Sequence, residues 1–293
     1  MLKGIDVSNA NSMPPKTPID WNKLKGKIDF AILRCAKGSD QADQDDQQWT
    51  RNVSECNRLG IPWGTYLYSY AMSTTEAESE AAHALRLLKG LKPTYPVYID
   101  MEDADGYKAK RGGISKQMAT DICRIFCERL TAAGYTAGIY ANKDWATNRL
   151  DMAQLAKYTF WLAQYNDKVT YAGKYDMWQY SSSGSLPGIM GSVDLNYCYK
   201  DFALNEVRAD TSGKITIKKG EYYQLRTFCQ TGARVVSGNP DSVVVVSRNI
   251  PRATDGAEDW YLVPIGDKGS ETGIYISSNE EKSGKQCCVI KIG

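Results

Sequence analysis

Histidine is almost missing from this chain: His83 is the single one in 293 residues. That scarcity excludes His-rich metal sites, Cys₂His₂ fingers and most Ser/His/Asp mechanisms. Eight cysteines, at 35, 56, 123, 127, 198, 229, 287 and 288, contain no C-x-x-C pair, so zinc ribbons and thioredoxin-like motifs are excluded too. They read as reduced, half-buried thiols. No stretch approaches the roughly 20 apolar residues that span a bilayer, so no membrane insertion is expected. Charge of one sign is also lacking: 36 Lys and Arg face 34 Asp and Glu, and a net charge of +2 gives no reason to expect nucleic acid. There is no internal repeat. No charged-then-apolar leader precedes the strand pattern at Met1–Asp6, so synthesis in the cytoplasm without a signal peptide is expected. Oligomeric state is left open.

What is present alternates. Short segments rich in aromatic and β-branched residues lie at Gly4–Ser8, Phe30–Lys37, Ile61–Tyr70, Tyr95–Glu102, Ala137–Asn142, Tyr158–Tyr165, Tyr175–Ser181 and Val193–Tyr199. Helical spacing appears over Asp45–Leu59, from a capping box at Ser73-Thr74-Thr75-Glu76 to Gly90, and over Ser115–Ala133. Strand–helix alternation predicts a parallel sheet, and eight strands in about 200 residues predict a closed barrel. The gaps after the fifth strand are too short for full helices, so the α/β barrel should be irregular. From Asn205 to Ser212 the texture changes, predicting a catalytic domain over 1–205, a linker over 206–212 and a small all-β sandwich over 213–293.

The informative segment is Y-P-V-Y-I-D-M-E-D at 95–103. Side chains at i and i+2 of a strand share a face, so Asp100 and Glu102 point together toward the mouth of a barrel. Two such carboxyls repel, so one should keep its proton near neutrality. An acid beside an anion is the equipment for cleaving a glycosidic bond. Asp6 ends the first strand and Asp194 lies in the last, which a closed barrel makes neighbours. Tyr66, Tyr68, Tyr98, Tyr140, Trp161, Tyr165, Trp178 and Tyr180 are spaced along the same strands, and such rings stack on sugar faces. Neither a cofactor nor a metal is called for: a bound dication would lower the nearby carboxyl pKa values and disable an acid.

The segments GIDVS, GTYLYSYA, YPVYIDMED, GIYAN, FWLAQYN and WQYSSSGSLPGIMGSVDLNY, in this order, resemble the family-25 glycoside hydrolases, bacterial and phage lysozymes. The resemblance covers roughly residues 1–205. It implies an irregular β/α-barrel of five β/α units and three closing strands, and an endolysin-like N-acetylmuramidase acting on peptidoglycan at the bacterial cell wall. Carried over by position, Glu102 would be the general acid, Asp100 its anionic partner, and Asp6 and Asp194 flanking acids. Tyr66, Tyr140 and Gln179 match groove positions; Tyr68 and Trp161 join them as candidate substrate-binding residues. The third-strand GTYLYSYA departs from the Tyr-His-Phe of many members. The C-terminal part weakly resembles β-rich tails of such lysozymes, which implies wall binding.

Two competing readings stand beside this one. A chitinase-like glycosidase is disfavoured because Tyr98 occupies the first acid of D-x-D-x-E. A carbohydrate-binding protein without turnover is disfavoured by the presence of all four acids. Elsewhere the bland readings lead: His83 as a packing or surface residue, Asp40–Asp46 as a solvated loop, and Val243–Val246 as buried core.

Overall fold

Eight short strands close into a barrel in chain order: β1 (Leu2–Val7), β2 (Phe30–Lys37), β3 (Trp63–Tyr68), β4 (Val97–Asp100), β5 (Ala137–Asn142), β6 (Thr159–Ala163), β7 (Met177–Gly184) and β8 (Val193–Cys198). This is a computed structural model that describes residues 1–12, 16–200, 202, 207–229, 232–248, 257–278 and 283–293. Neighbours from β1 to β7 run parallel, whereas β8 is antiparallel to both β7 and β1. Irregular closure of this kind is what the shortened gaps predict.

Of the five β/α units, three carry helices longer than two turns among the described residues. They are α2 (Trp49–Leu59), α3 (Thr74–Leu88) and α4 (Lys116–Ala132), after β2, β3 and β4. After β1 the described residues hold a 3-10 turn at Asn9–Asn11 and the single-turn α1 (Trp21–Leu24), and Pro18 just before α1 cannot supply a helical N–H. After β5 comes a single π-helical turn, Trp145–Arg149. At the start of α3, Ser73 Oγ accepts from Glu76 N at 3.3 Å, while the Glu76 carboxylate takes the N–H of Met72 at 2.8 Å. Among the described residues no helix is long and apolar enough to cross a membrane.

The barrel interior is filled by rings that need glycine opposite them. A Cβ on Gly4 would lie 2.4 Å from the Phe30 ring, and one on Gly138 would lie 2.6 Å from Tyr98. Phe30 stacks on Tyr95 at 4.6 Å, and Tyr98 packs edge-on against Trp161. This aromatic floor closes the barrel below the carboxyl ends of the strands, leaving the mouth for polar side chains.

The chain divides at Met1–Lys200 and Asp201–Gly293. The second unit holds β9 (Arg208–Ala209), β10 (Gly213–Ile217), β11 (Tyr223–Phe228), β12 (Ala233–Ser237), β13 (Val243–Ser247), β14 (Ala257–Pro264), β15 (Glu271–Ser278) and β16 (Lys285–Ile292). They form two four-stranded sheets, ordered β10-β16-β15-β12 and β13-β14-β11-β9. Leu225, Val243 and Leu262 of one sheet join Ile274, Ile276 and Ile290 of the other in a shared core, which makes a sandwich.

Three expectations need correction. In the segment 206–212 expected as a linker, residue 206 lies outside the described residues, and Arg208–Ala209 pair with Phe228 and Thr227 as an edge strand. Val243–Val246 is not continuous core: Val244 and Val246 are 36% and 44% exposed, because β13 is an edge strand with alternate residues turned outward. The acidic run at 40–46 is not merely solvated. Buried Asp46 accepts from Arg34 Nε and Asn9 N, both at 2.8 Å, and Asp45 accepts from Arg86 and His83. His83 is a packing residue, fully buried and bonded to Gly38 O and Asp45 Oδ1.

Candidate functional site

Barrel closure sets Asp6 of β1 directly opposite Asp194 of β8, on the inward face. Across the mouth, Asp100 ends β4 level with Tyr68 of β3 and Tyr140 of β5. Glu102 follows two residues beyond the strand end. These side chains, with Tyr66, Trp161, Tyr165 and Gln179, line one cleft of about 230 Å³. All nine candidate site residues named from sequence are therefore brought together.

Hydrogen bonds fix much of the wall. Gln179 Nε2 and Asn196 Nδ2 donate to Asp6 Oδ2 at 2.9 and 2.8 Å. Tyr140 and Tyr165 hydroxyls donate to Gln179 Oε1 at 2.8 and 2.9 Å, and Trp161 Nε1 donates to Asn196 Oδ1 at 2.8 Å. The Gln179 and Asn196 amides are thus held from both ends, which fixes which end faces Asp6. Strands β1, β5, β6, β7 and β8 are tied together around that carboxyl.

The acids are held above their ordinary pKa range. Burial, then the charge of Asp194, raises Asp6 to about 8 despite its two amide donors. Burial raises Asp194 to about 6. Asp100 is pushed well up by burial and by Glu102, against the opposing pull of Lys108. Burial raises Glu102 as well, while its hydrogen bond with Asp100 works the other way. That bond favours the proton on Asp100, whose Oδ1 is buried with no protein donor aimed at it. Burial therefore works against the charge on the expected anion of the pair. The reason is depth: Asp100 is 4% exposed, whereas Glu102 is only half-buried at the cleft surface.

Behind the pair lies a buried support. Lys108 is 2% exposed, and its Nζ donates to Glu102 O at 3.0 Å and to Ser69 O. Fully buried Glu80 accepts from Ser69 Oγ at 2.7 Å and from the backbone N–H of Tyr70 and Ala71 at 2.7 and 2.9 Å. Burial lifts Glu80 to about 7. Lys108 and Glu80 escape sequence reading, since one lies in a polar loop and the other in a helix. Asn196 had a signal, standing two residues after Asp194 on the same strand face.

Not every rim aromatic belongs here. Tyr98 is fully buried in the barrel floor, and Trp178 and Tyr180 alternate with Gln179 and so face the other side of β7. Among the described residues, no three His, Cys, Asp or Glu side chains are disposed to hold a metal ion.

Comparison with known proteins agrees with this geometry. The autolytic lysozyme of Clostridium acetobutylicum is 25% identical over 197 residues, covering 67% of this chain and 55% of that protein. A lysozyme of Lactococcus phage mv1 is 26% identical over 181 residues, covering 58% and 87%. The modular autolysin LytC of Streptococcus pneumoniae, solved with a synthetic peptidoglycan ligand, shares 29% identity and a TM-score of 0.57 over 67% of this chain and 46% of its own. This chain thus spans about half the length of the clostridial and pneumococcal proteins. The spore cortex lytic enzyme SleM of Clostridium perfringens is alike in fold over 99% of this chain and 98% of its own, with a TM-score of 0.57 and 15% identity. The family model described as Glycosyl hydrolases family 25 matches residues 5–189, a span that carries Asp6, Asp100 and Glu102 and ends just before Asp194, and the chain belongs to that family.

Proposed function

We propose that this glycoside hydrolase is an endolysin-like lysozyme that cleaves the β-1,4 bond from N-acetylmuramic acid to N-acetylglucosamine in peptidoglycan. The observation that carries the reading is the convergence of Asp6, Asp100, Glu102 and Asp194, all with raised pKa values, on one ring-lined cleft. Similarity to lysozymes and autolysins from bacteria and phage supports it.

In the proposed mechanism Asp100 and Glu102 share one proton. In the resting form Asp100 holds it toward Glu102. In the acting form the proton has crossed to Glu102, the more accessible carboxyl, and Asp100 carries the charge. Glu102 gives that proton to the glycosidic oxygen as the bond to the anomeric carbon breaks, and Asp100 stabilises the positive centre. Water then adds to that carbon and returns a proton to Glu102. Asp6, Gln179 and Asn196 form a rigid wall that orients the sugar, and Tyr66, Tyr68, Tyr140 and Trp161 supply ring surface. On this reading the enzyme acts at the cell wall, and the sandwich unit holds it on that insoluble substrate. Mass spectrometry of fragments released from purified peptidoglycan tests the bond assignment. Reducing-end muramic acid is the expected product; reducing-end glucosamine or freed peptide would overturn it.

A further inference from the structure

A cleft of 230 Å³ is smaller than the roughly 300–1,000 Å³ of sites that enclose a drug-sized ligand, so it seats little more than one sugar ring. A polymeric glycan has to continue over a neighbouring surface. One neighbour has the right chemistry. A second cleft of about 500 Å³ lies along β7, β8 and the segment that follows β6, and Tyr165 lines both. Tyr165 is 53% exposed, and its hydroxyl donates to Gln179 in the first cleft. Its ring therefore stands on the rim between them.

The second cleft pairs ring surface with hydroxyls. Tyr180 and Tyr197 stack at 4.3 Å and 14°, with Trp178 tilted against both. Among the described residues no helix lies between β6 and β7 or between β7 and β8, so these strands lack the helical cover that α2, α3 and α4 give theirs. Beside the rings the β7–β8 pairing slips at Ser181 and again before Gly184, and exposed Ser182 and Ser183 sit in that irregular stretch. Bulged strands next to active sites re-aim side chains. Rings set among hydroxyls suit a sugar, which has an apolar face and polar edges.

We propose that this ledge is a second saccharide site, distinct from the acid cleft, that binds the glycan strand beyond the cleaved sugar after it passes Tyr165. The proposal rests on the glycan-hydrolase reading above and adds to it a preference for long strands. The test uses the full chain and peptide-free glycan strands of two sizes: the shortest cleavable oligosaccharide, and strands of ten or more sugars. Tyr180→Ala should lower kcat/KM on long strands about two- to tenfold, the range of one aromatic contact, through KM, and leave the short substrate unchanged. Because Tyr180 also packs on its neighbours, Ser182→Trp serves as a second variant: it fills the ledge from an exposed position and should give the same selective loss. Equal effects on both substrates, or none in either variant, would overturn the ledge while leaving the enzyme reading intact. Wild-type protein that cleaves neither substrate would instead overturn the enzyme reading.

Discussion

Glu102 and Asp100 differ by two positions in sequence and by depth in the barrel. That difference makes separate predictions for them. Glu102→Gln keeps the shape but cannot donate a proton, so turnover of peptidoglycan should fall by about 10²–10⁴-fold, the usual general-acid contribution. Asp100→Asn should also be severe, and because it removes the proton's other seat it should move the alkaline limit of the kcat/KM profile as well. A variant of Glu102 that kept more than half the wild-type rate would remove it from the mechanism. The four acids also resemble the oxygen donors of a hard cation. The mechanism uses raised carboxyl pKa values, and a dication would lower them, so activity in excess EDTA should be unchanged; loss on chelation and rescue by Mg²⁺ or Ca²⁺ would refute it.

At the scale of elements, the loop after β4 is tied to the β3–α3 connection by Lys108, which bridges Ser69 O and Glu102 O. Its charge faces Glu80, Asp100, Asp103 and Cys123, and it lowers the pKa of both Asp100 and Glu102. Lys108→Met should therefore shift both limbs of the pH profile upward. It should also cost rate, since a misplacement near 1 Å can cost on the order of 10²-fold. Lys108→Arg should restore much of the profile. If Lys108→Met slowed the enzyme without moving either limb, its charge would have no part in the site. Glu80 invites a stability measurement. Its folded pKa of about 7 exceeds the ordinary 4.5, so the folded chain holds a proton that the unfolded chain releases. Stability from this source is complete below the ordinary value and lost as pH rises through about 7. Asp194 at about 6 and Asp6 at about 8 act in the same direction. Melting temperature should fall from pH 5 to pH 8.5, and Glu80→Gln should flatten that fall.

At the scale of the whole molecule, all strands of the barrel and all acids of the cleft lie within Met1–Lys200. A protein ending at Lys200 should fold and cleave soluble glycan at close to the full-length rate. On intact cells or insoluble wall it should be much slower, because a binding unit raises the local concentration of enzyme on a surface. Equal lysis of cells by both forms would sink the wall-binding assignment of the sandwich.

Much of this was legible in the chain itself. Period-two aromatic and β-branched segments, with helical spacing between the early ones, determined the strand order and the irregular barrel. The pair at 100 and 102, with Asp6 and Asp194 at the two chain ends of the barrel, determined the acid set, because closure makes first and last strands neighbours whatever the details. Strand patterning also determined the sandwich, but not which strands lie at its edges; that depends on pairing partners far along the chain, and it turned Val244 and Val246 outward. Tertiary structure alone decided the electrostatics. Depth along an inward-facing row sets desolvation, so burial works against the charge on Asp100, and Tyr98 and Tyr140, two strands' worth of similar tyrosines, ended as floor and wall. Lys108 and Glu80 meet behind the site only because a loop and a helix from different β/α units pack on the same strand ends, a contact that local pattern does not encode.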